Sequence, residues 1–157
     1  MEQYFIDIAS WSVSRAINES PWIFPLVQAF HLVALGFLAG AVLMVDLRLL
    51  GSGFSQQPIA RVARDARPWL MGSLVAMVLT GVPQFISLAT KEYSSPYFRW
   101  KMLMLLIALI FTFTVKRFVA YAPEGRFGGG VTKVVALVSL GLWTSVAING
   151  RLIGFFS

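Results

Sequence analysis

Apolar residues dominate four runs of this chain, at 22–50, 68–90, 97–115 and 131–148, and short segments rich in charge, glycine or proline separate them. A helix of about 17–25 predominantly apolar residues crosses a bilayer. The runs therefore predict an all-α fold: an integral membrane four-helix bundle forming one transmembrane domain over 1–157. The expected spanning helices are about 21–50, 60–90, 97–121 and 131–152. Ahead of them, Tyr4, Ile8, Trp11 and Arg15 recur at helical spacing and predict a short amphipathic helix over about 3–17, lying on the membrane surface. Ser20-Pro21 reads as an N-cap followed by proline at the first helical position.

The first run, WIFPLVQAFHLVALGFLAGAVLMVDLRLL, carries two kinds of pattern. Gln28, His31, Leu35, Leu38, Val42 and Val45 follow a 3-4-3-4 spacing and so form one seam. Ala29, Gly36 and Gly40 fall on roughly the opposite side, where the small-xxx-small step suits either packing within the bundle or a contact between protomers. His31 is the sole histidine of the chain. At 1.5 Å per residue it lies on the order of 13 Å beyond Trp22, close to mid-membrane. An ionisable side chain at that depth is a candidate functional residue.

On the second helix, Ser73, Ala76, Thr80 and Gln84 make a small or polar stripe expected to face other helices. Pro83 leaves the Leu79 carbonyl without its usual donor and is expected to kink the helix, and Thr80-Gly81 beside it gives room for a ligand or for close packing. Met77, near mid-depth, is either core filler or a thioether ligand for haem iron. Arg99 and Lys101 stand in the first turns of the third helix, where they either snorkel to headgroups or bind carboxylates of a ligand. GRFGGG before the fourth helix lacks the Gly-Lys-Ser/Thr ending of a phosphate loop. Gly141, Ser145 and Asn149 share a face of that helix, and Arg151 follows.

Composition sharpens this picture. The chain is 57% apolar and 13% charged, which excludes an ordinary soluble domain. Its net charge of +6 comes from residues flanking the apolar runs, so anionic headgroups rather than nucleic acid are the expected partner. The absence of cysteine excludes disulfides, iron–sulfur clusters and thiolate zinc sites, and a single histidine excludes a multi-histidine site within one chain. Arg48, Arg61, Arg64, Arg67, Lys116, Arg117, Arg126 and Lys133 lie on one side, against Arg15, Lys91, Arg99, Lys101 and Arg151 on the other. Eight against five predicts that the first set is cytoplasmic and both termini are periplasmic. Arg61, Arg64, Asp65 and Arg67, just before the second apolar run, are expected to form a solvated helix end among lipid phosphates, or an arginine there to pair with Asp46 and tie two helix ends together. Gln28, Gln84, Arg99, Lys101, Asn149 and Arg151 then share the outer half of the bundle with His31, and this cluster is the candidate site.

FHLVALGFLAG followed by DLRLLG resembles an uncharacterised family of small bacterial four-helix membrane proteins over nearly the whole chain. More distantly, the layout resembles the HemJ-type protoporphyrinogen oxidases and CopD-like copper-resistance membrane domains, on a histidine in the first helix and a lysine near the start of the third, here His31 and Lys101 in FRWKMLMLL. The resemblance implies a bacterial inner-membrane protein that binds haem b, with His31 as axial ligand. The HemJ-type histidine of the third-helix region is missing, since the chain reads Thr114-Val115-Lys116 there. The expected function is electron transfer or membrane redox chemistry on haem b, with His31 on the metal and Gln28, Arg99, Lys101 and Arg151 around the cofactor. Whether the protein is an enzyme stays open. A homo-oligomer or a partner membrane subunit is expected. The alternatives are a structural or accessory subunit without cofactor and a CopD-like metal transport module.

Overall fold

The computed structural model describes residues 20–52, 56–87, 96–123 and 125–156. The surface helix expected over 3–17 lies outside the described residues. Four helices are each long and apolar enough to cross a membrane: α1 (Ile23–Leu50), α2 (Ile59–Ser87), α3 (Pro96–Ala120) and α4 (Gly129–Phe156). No strand occurs among the described residues. Large apolar side chains such as Phe30, Trp69, Leu79, Leu106 and Leu137 are exposed on all four helices, which is the surface expected of a bundle solvated by lipid tails.

Helix ends follow local chemistry. Ser20 Oγ accepts the Ile23 N–H at 3.4 Å before α1 begins. At the other end Gly51 adopts φ 83°, its N–H donates to Arg48 O, and the Ser52 N–H donates to Leu47 O. That pair of bonds is a Schellman closure, and glycine is what makes the left-handed residue inexpensive. The Pro58 carbonyl accepts from Arg61 and Val62, starting α2 at Ile59. The charged segment IARVARDARPW is thus the first turns of α2, with Pro68 inside the helix. The helix also continues through Pro83 to Ser87. Beside that proline the Gln84 side-chain amide donates to Thr80 O at 3.1 Å.

α1 is the centre of the bundle. It packs most extensively on α2 and also along α4, while α3 packs on α4. α2 reaches α3 mainly at the Arg117–Ala120 end. The seam predicted on α1 does face inward: Leu38, Val42 and Val45 are buried, and Gln28, His31 and Leu35 are half-buried. The small-residue face points out, with Gly36 and Gly40 having no neighbouring atom within 4 Å of where a Cβ would stand. Phe37 stacks on Trp69 at 5.5 Å, and Phe85 on Phe98 at 5.2 Å, tying α2 to both neighbours.

α3 contains one turn of π-helix, Thr112–Lys116. Its effect follows from helical geometry. In a regular α-helix, at about 100° per residue, Val115 would lie within roughly 20° of the fully buried Ala108, and Lys116 would be rotated by roughly 80°. The wider turn reverses this. Lys116 is buried and Val115 is exposed.

Candidate functional site

His31 sits on the inward seam of α1 against α2. A Cβ added at Gly81 would stand 3.4 Å from His31 Cε1, so the imidazole lies over the glycine, which is the close packing expected at Thr80-Gly81. The ring is held by a hydrogen bond between Nδ1 and Thr80 Oγ1 at 2.8 Å. Thr80 Oγ1 also donates its single proton to Ala76 O at 2.7 Å. The hydroxyl therefore accepts from His31, and Nδ1 carries the proton. In the neutral ring this leaves the lone pair on Nε2. Threonine at position 80, rather than Gln28, orients the imidazole; Gln28 is half-buried one turn away.

Lys101 approaches from α3. Its aliphatic stem lies against Gly150 of α4, with Cε 3.5 Å and Nζ 3.7 Å from the position of an added Cβ. It is near enough for its charge to act on His31. His31 and Lys101 are thus each seated over a glycine of the adjacent helix. Arg99 and Arg151 are exposed at the same end of the bundle, near Lys101 in sequence and near Gly150 respectively. Asn149 donates to Ser145 O at 2.8 Å and Ser145 to Gly141 O at 2.8 Å, so this polar stripe is bonded along its own helix. An apolar groove of about 730 Å³ runs between α1 and α2, lined among others by Phe30, Phe37, Trp69, Ala76 and Thr80. Through Thr80 it adjoins the imidazole.

A second polar centre lies toward the opposite ends of the helices. Lys116 Nζ is 2.7 Å from Asp46 Oδ1, and Ser139 Oγ donates to Asp46 Oδ2 at 2.8 Å. The ammonium also donates to Ser139 Oγ at 3.1 Å and to Val42 O at 3.3 Å. Asp46 and Ser139 are 0% exposed and Lys116 4%. This corrects one sequence expectation: Asp46 is enclosed by α1, α3 and α4, and its partner is Lys116 rather than an arginine. Arg48, two residues after Asp46, donates through Nε to Gln57 O at 2.6 Å. The signal available in the sequence was the position of Asp46, next to Val45 and between Val42 and Leu49 on a buried face. Ser139 and the π turn left no comparable trace.

Among the described residues no cluster of three or more histidine, cysteine, aspartate or glutamate side chains could hold a metal ion. His31 offers one nitrogen. The family of unknown function DUF6644 matches residues 22–156, and the chain belongs to that family. No curated protein and no solved structure matches it.

Proposed function

We propose that this family member is a haem b protein of the bacterial inner membrane, serving electron transfer, with His31 as an axial ligand through Nε2. The observation that carries the reading is the oriented imidazole. Its Nδ1 proton goes to Thr80, whose own proton goes to Ala76 O, leaving Nε2 as the free donor. A ligating histidine ordinarily has its other nitrogen fixed in this way. The donor set fits one axial bond per chain. The groove between α1 and α2 supplies apolar walls that reach Thr80, the hydrogen-bond partner of the ring, and Lys101, Arg99 and Arg151 would supply positive charge for propionates. Haem b, when bound, supplies one-electron redox chemistry. Thr80 fixes the ring, the lipid-facing helices exclude water, and Gln28 lies one turn from the imidazole.

The resemblance to HemJ-type proteins adds support through its two matching positions, a histidine in the first helix and a lysine near the start of the third, His31 and Lys101. The missing third-helix histidine argues for electron transfer rather than oxidase chemistry. Both termini are placed in the periplasm on the Lys and Arg bias. A homodimer through Gly36 and Gly40 is part of the proposal, because that face is open within the chain. Such a dimer puts the two His31 side chains on the far sides of the paired helices, about 180° from Gly40. It therefore does not supply a second histidine to the same iron.

A structural or accessory subunit is the second reading. It is favoured by the Asp46–Lys116–Ser139 network, which locks three helices without any ligand. Expression with ample haem followed by a reduced-minus-oxidised spectrum separates the two. Wild type should show b-type bands and His31→Ala should lose them. A folded, monodisperse wild type that stays colourless would leave the structural reading in place.

A further inference from the structure

A cavity of about 220 Å³ lies between α2 and α3 in the half of the bundle that holds the Asp46–Lys116 pair, beside the contact of α2 with the Arg117–Ala120 end of α3. Its inner wall is made of small side chains, Ala41, Ala63, Ala66 and Ala120, all buried. Arg67 of α2 and Arg117 of α3 line it from opposite sides and are otherwise exposed, with Tyr121 beside them. Lys116 also borders it, its charge compensated by Asp46. Among the described residues no acidic side chain lines the cavity.

We propose that this cavity binds an anionic phospholipid, its phosphate between Arg67 and Arg117 and part of one acyl chain over the alanines. The occupant must be apolar along most of its length, because the walls are. It must carry negative charge, because both Arg67 and Arg117 line the cavity and, among the described residues, no carboxylate does. It must come from the bilayer, because the cavity lies between two membrane-spanning helices near their charged ends, at the level of headgroups. Basic pockets between transmembrane helices hold acidic lipid heads by the same physics. Tyr121 adds an amphipathic ring of the kind found at that depth.

The test is lipid retention by the purified full-length protein, measured by native mass spectrometry after equilibration with equal phosphatidylglycerol and phosphatidylcholine. Wild type should keep phosphatidylglycerol preferentially. Arg67→Gln with Arg117→Gln should lower that retention by roughly tenfold or more. Arg61→Gln with Arg64→Gln, which removes two exposed charges outside the cavity, should leave it nearly unchanged. Ala66→Leu, which fills the cavity with both arginines intact, should lower it too. Equal retention of the two lipids by wild type, or equal loss in both arginine pairs, would overturn the proposal. So would unchanged retention in Ala66→Leu, or displacement of the lipid by inorganic phosphate, which would indicate a soluble anion site.

Discussion

Lys116 reaches Asp46 at 2.7 Å across the α1–α3 boundary, with both side chains buried inside the bundle. A charge pair so enclosed contributes less to net stability than its short distance suggests, because both ions are desolvated. Removing one partner is a different matter, since the other is then left alone. Lys116→Met or Asp46→Leu should each destabilise the bundle by about 3–5 kcal/mol, read as loss of thermal stability in detergent. The double variant should be much closer to wild type than either single one. A double variant as unstable as the sum of the two would show that the pair is not coupled.

Thr80 is the residue through which α2 sets the imidazole. Thr80→Val keeps its shape and removes the acceptor for Nδ1–H. If His31 ligates haem, this change should weaken haem binding by about 10–100-fold while the fold persists. Thr80→Ser should restore most of it. Haem titration of the three proteins checks this, and unchanged binding in Thr80→Val would remove the orienting role.

Membrane orientation can be read by reporter fusions after Leu50 and after Tyr121. Four spanning helices put both sites on one side, and the basic residues near them predict the cytoplasm. The burial of Lys116 takes one charge from the larger set of eight, leaving seven against five. A periplasmic signal at both sites would invert the orientation without disturbing the helix count.

The open face of α1 makes its own prediction. Gly36→Leu with Gly40→Leu should halve the particle mass in detergent with helicity intact. Nothing among the described residues crowds either glycine, so leucine is accommodated at both positions without a clash with them. An unchanged mass would mean that the face meets only lipid.

The four helices and the inward seam of α1 were legible because each is written as a repeat, a run length for the first and a 3-4 spacing for the second. His31 and Lys101 were legible as ionisable residues within apolar runs. Partners from distant segments were not. Thr80 is one of several small polar residues on α2, and nothing local marks it as the one that meets His31. Lys116 looked like a flanking charge because it precedes Arg117, and regular helical phasing turns it away from the interior. α2 runs through both Pro68 and Pro83, with tertiary packing along α1 outweighing the local cost.

The wide turn of α3 behaves as one extra residue inserted into an otherwise regular helix, and such an insertion can be taken out again. Deleting Thr114 would place the lysine seven residues after Ala108, which in plain α geometry faces the same way to within about 20°. That shortened chain should keep the link to Asp46 and lose the π turn. Deleting Leu106 instead, in the regular part, would swing everything before it by about 100° relative to everything after. Lys101 and Lys116 could then no longer both face the interior. The two polar centres of the bundle are therefore phased to each other through the regular part of α3. Chains that differ by a single gap within 112–115 should fold alike, whereas a gap a few residues earlier should not be tolerated.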